Sequence, residues 1–235
     1  MFSYSKHEQD LIELILGLKD GSDRKSTLQL VLENARFHCG MEIVGDINNA
    51  EFTCRQNITE RVCNGDVLNH YISDEADIFT SILSYLIGLE QIGTLFYTED
   101  KMNEGESNGI INAIKIFSKD PLTREKRIAL KNLRNSLGHA YGLVNVDRSK
   151  NKGTHKFSLN FKDDSEEIIK VPNEQNMWDG NYLDKKEETS TVVYAFPLIR
   201  FVEEIIQNVI NEYHNVNLRF IFFEEIKSRF TIRVD

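Results

Sequence analysis

Residues 74–97, DEADIFTSILSYLIGLEQIGTLFY, carry the strongest core-helix pattern of the chain. Apolar residues lie on nearly every side of the helix that this stretch would form, at Ile78, Phe79, Ile82, Leu83, Leu86, Ile87, Leu89, Ile92, Leu95 and Phe96. A helix that is apolar almost all round is usually buried at the centre of its domain. The stretch therefore predicts a central helix against which the rest of the chain packs.

Glu90 interrupts the apolar surface of this predicted helix. In the simplest interpretation, its carboxylate lies on a narrow strip of the helix that faces solvent. In the alternative, it pairs with Arg134 and holds that side chain in place, because a buried carboxylate needs a partner.

Amphipathic helices are predicted on both sides of the central helix. Apolar residues recur at helical spacing over residues 11–18 and 28–35, before it, and over 110–118, after it. Pro121 and Pro197 each suit the first turn of a further helix, and a continuous apolar stripe follows the second of these prolines. The pattern indicates a helical bundle.

Between residues 141 and 196 the pattern changes from helical to extended. Four segments alternate or are rich in β-branched and aromatic residues: YGLVNVD at 141–147, HKFSLNF at 155–161, EEIIKV at 166–171 and STVVYAF at 190–196. They predict three or four antiparallel strands built from hairpins. The tail, 218–235, also has extended character and predicts an edge strand or a partner contact.

The length and composition favour a single domain over residues 1–235, with no Pro- or Ser-rich linker. Residues 1–72 are predicted to form an N-terminal helical and irregular extension, and residues 141–196 a β-rich insertion. The expected fold class is therefore mainly α, a helical bundle with a small antiparallel β insertion before its last long helix.

The three cysteines, Cys39, Cys54 and Cys63, are odd in number and widely spaced, which favours a reducing compartment. With His38 they lack the close cysteine pairs of structural zinc sites, so no metal or cofactor is expected. The first 21 residues resemble an amphipathic helix more than a signal peptide. No charge-free apolar run reaches the length of a membrane span, and a cytoplasmic protein is predicted.

The net charge of −9 excludes a protein that coats nucleic acid nonspecifically, because such proteins are usually basic overall. Residues 119–139 nevertheless contain six basic and two acidic residues, a local charge of +4. A local positive field on an acidic body can bind a phosphate selectively. Within this segment, Arg127 and Lys131 are candidate substrate-binding residues.

The candidate chemistry lies in LKNLRNSLGHAY, residues 130–141. Arg134 offers several donors to a phosphate, Asn135 can donate and accept, and His139 belongs to the residue type that exchanges protons near neutral pH. Asn135 and His139 are four residues apart and share a helix face. Arg134 lies about 140° from His139, so its long side chain must bend to reach it. The alternative without a function is a polar helix face on which the histidine has only a structural role.

The segment RNSLGH, residues 134–139, resembles the signature of the HEPN superfamily. That signature is an arginine, a polar residue that is often asparagine, about three variable residues and a histidine. The resemblance extends in outline to a bundle formed by residues 74–140 and 197–214. It does not extend to the β-rich region or to the N-terminal third.

This resemblance implies a metal-independent ribonuclease that dimerises so that two motifs face one composite site. It implies that His139 takes part in proton transfer as an RNA 2′-hydroxyl attacks the adjacent phosphate. Arg134 would stabilise the phosphorane, and Asn135 would orient the histidine or the phosphate. The implied product is a 2′,3′-cyclic phosphate.

The resemblance further implies a toxin or an antiphage defence effector with a possible antitoxin partner. In some related toxins a tyrosine two residues after the histidine is adenylylated, which makes Tyr141 a candidate modification site. The favoured alternative for Tyr141 is an aromatic residue at the start of a strand that packs on the bundle. Two other classes remain open: a nucleotide- or RNA-binding module without catalysis, and a bundle whose aromatic tail docks partner proteins. Trp178 could stack on a base, although a role as a loop anchor is favoured.

Overall fold

A computed structural model describes residues 3–18, 24–39, 41–44, 51–54, 75–101, 105–140, 142–146, 154–161, 165–221 and 226–233. Helices dominate these residues, which confirms the predicted mainly α class. The helices are α1 Lys6–Leu16, α2 Thr27–His38, α3 Glu75–Leu95, α4 Gly109–Phe117, α5 Arg124–Ala140, α6 Ala195–His214 and α7 Ile226–Phe230.

The strands are short and form four small sheets in the described part of the chain. Their bounds are β1 Arg24–Ser26, β2 Met41–Val44, β3 Glu51–Cys54, β4 Phe96–Thr98, β5 Val144–Asn145, β6 His155–Asn160, β7 Ile169–Lys170, β8 Ser190–Tyr194, β9 Leu218–Phe220 and β10 Thr231–Arg233. Three of the sheets are antiparallel pairs, β1–β10, β2–β3 and β4–β9.

The helix α3 is the centre of the bundle, as its sequence predicts. It packs against α2, α4, α5 and α6, and its fully buried side chains include Ile82, Tyr85, Leu86 and Leu89. By length and composition alone the stretch Asp77–Leu95 could cross a membrane, but more than half of it is buried inside the protein. That burial is typical of a core helix.

The close crossing of α3 and α4 depends on two glycines. A Cβ atom at Gly93 would overlap the carbonyl oxygen of Gly109 and approach the backbone nitrogen of Ala113. A Cβ atom at Gly109 would in turn overlap the carbonyl oxygen of Glu90. The two helices can therefore pack backbone to backbone only because both positions lack side chains.

The N-terminal helices α1 and α2 belong to the same hydrophobic core as α3. Ile12 and Ile15 of α1 and Leu28 and Ala35 of α2 are buried in it. Ser26 begins α2 because its hydroxyl accepts a hydrogen bond from the backbone N–H of Gln29, at 2.9 Å.

A buried ion pair joins α2 to α6. Glu203 is 1% exposed and accepts from Arg36 Nε at 2.7 Å and from Arg36 Nη2 at 2.8 Å. The hydroxyl of Tyr85 donates to the same carboxylate at 2.6 Å. Burial and the nearby carboxylate raise the pKa of Tyr85 far above its ordinary value, so this hydroxyl keeps its proton.

Replacing Glu203 with alanine is expected to cost about 3–5 kcal/mol of unfolding free energy, because it leaves the largely buried Arg36 side chain, 17% exposed, without its counter-charge. Urea denaturation of the two proteins measures the difference. Glu204→Ala is the matched control, since its carboxylate is 48% exposed and lies 3.9 Å from Lys119. It should change stability by less than about 0.5 kcal/mol, and equal effects of the two substitutions would contradict the assigned role of the ion pair.

The β-rich insertion lies before the last long helix, as predicted, but its sheet is not purely antiparallel. The strand order is β5-β6-β8-β7, and β6 runs parallel to β8. The prediction of hairpin-linked antiparallel strands is wrong for this central pair. Parallel strands need a long crossover, and the 161–189 segment is long enough to provide one, while β7 pairs antiparallel with the other edge of β8.

The C-terminal tail adds strands, which agrees with its extended pattern. The strand β9 pairs with β4, and β10 pairs with β1 near the start of the chain. Phe220 stacks on Phe96 with ring centroids 5.1 Å apart. Two other aromatic residues of the tail, Phe222 and Phe223, lie outside the described residues.

The buried His155 should make stability depend on pH. Burial lowers its pKa from 6.5 to about 4, so between these values the unfolded chain binds a proton that the native protein does not. The contribution of His155 to the free energy of unfolding is therefore fully present above the pKa that it has in the unfolded chain. It is lost on acidification, by up to about 3 kcal/mol. Unfolding free energies measured from neutral pH down to pH 4 should fall less steeply for His155→Gln than for the wild type; parallel curves would contradict this.

Candidate functional site

The segment RNSLGH occupies the last turns of α5. One face of this helix is apolar and packs on the bundle, since Ala129, Leu130, Leu133 and Leu137 are fully buried. Leu133 and Leu137 thus lie on the packing side of α5. Because the apolar face fixes the rotation of α5, its polar residues are turned toward the surface.

The guanidinium of Arg134 joins the three candidate residues. Its Nη1 lies 3.3 Å from His139 Nε2 and donates to Asn135 Oδ1 at 3.5 Å. Arg134 therefore bends around the helix to reach His139, as the spacing requires. His139 is exposed and Asn135 is half-buried, so the cluster is open to a ligand or to a second chain.

Glu90 of α3 fixes the other side of the same guanidinium. Its Oε2 lies 2.6 Å from Arg134 Nη2, and the two side chains are 29% and 22% exposed. Glu90 is thus partly exposed, as the simplest interpretation expects, and it also forms the ion pair of the alternative. The pair ties the candidate site to the central helix.

The contact between Arg134 and His139 defines the proton position on the imidazole. Arginine can only donate hydrogen bonds, so His139 Nε2 accepts and carries no proton in this arrangement. The remaining ring proton is then on Nδ1.

The positive field around α5 is weaker than the sequence predicts. Lys126 pairs with Glu167 at 3.0 Å, and Lys119 lies 3.9 Å from Glu204. When these two acids and Glu90 are added, the charge of the 119–139 segment and its partners falls from +4 to +1. The sequence count missed these acids because they lie in distant segments.

Of the two candidate substrate-binding residues, Arg127 makes a structural hydrogen bond with its guanidinium. Its Nη1 donates to the carbonyl oxygen of Leu122 at 2.9 Å, which closes the start of α5. Lys131 is half-buried, one turn before Asn135.

Several other sequence-based candidates lie outside the site or outside the described residues. Tyr141 is not among the described residues, and neither is Cys63. His38 pairs with Asp77 at 2.7 Å. Trp178 is 3% exposed and donates from Nε1 to the carbonyl oxygen of Asn181 at 3.0 Å, which confirms its interpretation as a loop anchor.

Comparisons of the chain with protein-family models, with curated proteins and with solved structures find no match. The function must therefore be argued from the geometry of the Arg134 cluster and from the resemblance of its motif.

Proposed function

We propose that this protein is a HEPN-like, metal-independent endoribonuclease. The observation that carries the proposal is the 3.3 Å contact between Arg134 Nη1 and His139 Nε2 at the exposed end of α5. It joins a side chain suited to phosphate binding to one suited to proton transfer. The sequence spacing of the motif, RNSLGH, supports the same assignment.

In the proposed reaction, His139 Nε2 takes the proton of an RNA 2′-hydroxyl while that oxygen attacks the adjacent phosphorus. The new O2′–P bond forms as the P–O5′ bond breaks, and the departing O5′ receives a proton from an imidazolium. Arg134 stabilises the negative charge of the phosphorane, and Asn135 orients the histidine or the phosphate. The products are a 2′,3′-cyclic phosphate and a free 5′-hydroxyl.

Such a reaction uses a base and an acid at the same time, and among the described residues one chain offers a single histidine in this cluster. The cluster lies on the surface of α5, where a second copy could supply the other histidine across a two-fold axis. We therefore propose a homodimer with a composite site. Dimerisation also fits the modest charge of one copy, because two motifs would combine their arginines around one phosphate.

The biological role is proposed on the resemblance of the motif. It suggests a cytoplasmic toxin or antiphage defence effector that acts on RNA, with a possible antitoxin or other defence-system partner and with adenylylation at Tyr141 as a possible control. No cofactor enters the proposed reaction, because both proton transfers and the charge stabilisation use side chains.

One observation favours a second candidate, a nucleotide- or RNA-binding module without catalysis. Glu90 already neutralises Arg134 in the resting structure, at 2.6 Å, so the site can hold its arginine without doing chemistry. A protein-interaction bundle is the other alternative, and the exposure of His139 argues against it.

The proposed activity is tested with the purified full chain and labelled RNA in the presence of EDTA. The expected result is cleavage with 2′,3′-cyclic phosphate ends, by a protein that light scattering shows to be a dimer. Cleavage that occurs only with a divalent metal would contradict the proposal, and so would the absence of any cleavage. Tight RNA binding without cleavage products would favour the binding module.

Glu90 is expected to act as a positioning residue for Arg134. Glu90→Gln keeps the shape of the side chain but removes the charge that fixes the guanidinium, so kcat should fall about tenfold while KM does not rise. Glu167→Gln is the matched control, because it breaks the ion pair with Lys126 near the other end of α5. A loss of stability without a change in kcat would show that Glu90 is only structural.

A further inference from the structure

A second concave site lies at the start of α5, away from the Arg134 cluster. It is a cleft of about 490 Å³ between the first turns of α5, the start of β6 in the four-stranded sheet and the 171–179 segment. Its size lies in the range of small-molecule sites, roughly 300–1,000 Å³. The residues that matter to its chemistry are Arg124, Ile128, His155, Glu174, Met177 and Trp178.

His155 is a buried polar group with unused hydrogen-bonding capacity in the wall of this cleft. Its side chain is 3% exposed, and its Nδ1 lies 2.9 Å from Thr191 Oγ1. Its Nε2 has no hydrogen-bond partner among the described residues. Because a buried nitrogen without a partner costs stability, a ligand that meets it would recover that cost.

The imidazole can serve a ligand in either direction. The Thr191 hydroxyl can donate to Nδ1 or accept from it, so the other nitrogen, Nε2, can be either a donor or an acceptor. Phe157 stacks on the ring with centroids 5.3 Å apart and holds its plane. The cleft wall therefore includes a buried imidazole of fixed plane, whose Nε2 has no hydrogen-bond partner among the described residues.

The remaining walls favour a partly apolar ligand that carries no negative charge. Ile128, Val171, Pro172, Met177 and Trp178 provide apolar surface. The same cleft is lined by one basic residue, Arg124, and by three acidic residues, Glu125, Glu174 and Asp179. This balance disfavours a phosphate inside the cleft, whereas carboxylates accept hydrogen bonds from the exocyclic amino groups of bases.

The cleft and the Arg134 cluster share one face of α5. Ile128 in the cleft and His139 are about 20° apart around an ideal helix and roughly 16 Å apart along it. A few nucleotides of an extended single strand span such a distance. A strand cleaved at His139 could therefore place one of its bases in the cleft.

We propose that this cleft is a nucleobase-binding site in which His155 hydrogen-bonds the base edge and the acidic rim accepts from its amino group. The site takes adenine, cytosine or guanine in preference to uracil, which has no exocyclic amino group. Binding of a free nucleoside is independent of catalysis, whereas use of the site by an RNA strand rests on the proposed ribonuclease function.

Trp178 is the single tryptophan of the chain and lies in the cleft, so its fluorescence reports occupancy. The protein is titrated with adenosine, cytidine, guanosine and uridine, with excitation at the red edge of tryptophan absorption. We expect saturable quenching by at least one amino-bearing nucleoside and weaker binding of uridine. No quenching by any of the four, or equal binding of all four, would overturn the proposal.

Two variants locate the binding. His155→Leu should weaken the best nucleoside at least about tenfold, the effect of losing one hydrogen bond to a buried group. Glu174→Gln, at the exposed rim, should weaken amino-bearing nucleosides and leave uridine unchanged, and it keeps the test valid if His155→Leu does not fold. Undiminished binding by both variants would refute the site.

A third variant and a short RNA show whether the cleft binds a base of an RNA strand or a free nucleoside. His139→Ala should bind nucleosides like the wild type, so failure of the ribonuclease proposal leaves this result intact. An RNA oligonucleotide that competes with the nucleoside, together with an altered cleavage pattern in Glu174→Gln, would assign the site to the RNA strand. Nucleoside binding without competition by RNA would assign it to free nucleosides.

Discussion

His139→Ala is expected to lower the rate of RNA cleavage by about 10²–10⁴-fold, the usual contribution of a positioned acid or base. The reason is that Nε2 is the only nitrogen of the cluster with a lone pair to take the 2′-hydroxyl proton, since the neighbouring arginine only donates. Arg134→Ala should lower the rate about 10²–10³-fold, by removing charge stabilisation from the transition state. Initial rates on labelled RNA measure both effects.

The fold of these variants must be shown to be intact, because Arg134 also pairs with Glu90 at 2.6 Å. Circular dichroism and urea denaturation provide that check, and His214→Ala, an exposed histidine at the end of α6, is the matched control. The control should retain full activity. Full activity in a correctly folded Arg134→Ala/His139→Ala double variant would contradict the catalytic roles proposed for these two residues.

The composite site adds a sharper test. If two copies share one reaction, excess His139→Ala protein mixed and refolded with the wild type should suppress its activity by forming mixed dimers. If each chain acts alone, the wild-type rate per active chain stays unchanged. This result separates a dimeric site from a cluster that works within one chain.

The features that the sequence predicts well are those set by local periodicity. The apolar positions of the 78–96 stretch force α3 into the core, and the leucines of α5 fix which of its faces is polar. The approach of Arg134 to His139 follows from their five-residue spacing and the reach of arginine. These inferences need only the geometry of one helix.

The features that the sequence leaves open or misses depend on how distant segments meet. The sequence offers the pair of Glu90 and Arg134 only as an alternative, because the pattern of neither helix determines the relative register of α3 and α5. Glu167 and Glu204, whose pairing with lysines around α5 reduces its field, also come from distant segments. The parallel pairing of β6 with β8 likewise depends on where a long connection returns, which strand patterns do not indicate.

The crossing of α3 and α4 should be the least tolerant point of the fold. Gly93→Ala introduces a Cβ atom against the Gly109 carbonyl oxygen and the Ala113 nitrogen, which are backbone atoms that cannot rotate away. The helices must separate, and the buried contacts of Ile92 and Ile110 loosen with them. We expect a loss of about 3 kcal/mol or more, at the upper end of overpacking effects.

The matched control is the same substitution in a helix that has room for it. At Gly138, a Cβ atom would meet Leu83 Cδ1 at 3.8 Å and Arg134 Nη1 at 3.9 Å, which are ordinary contacts. Gly138→Ala should therefore leave stability unchanged or raise it by up to about 1 kcal/mol, because alanine restricts the unfolded chain. If backbone contact at the crossing is responsible, rather than the loss of a glycine itself, urea denaturation should show a loss of stability for Gly93→Ala and none for Gly138→Ala. Since Glu90 lies one turn before Gly93 on α3, only Gly93→Ala should also displace the carboxylate that holds Arg134.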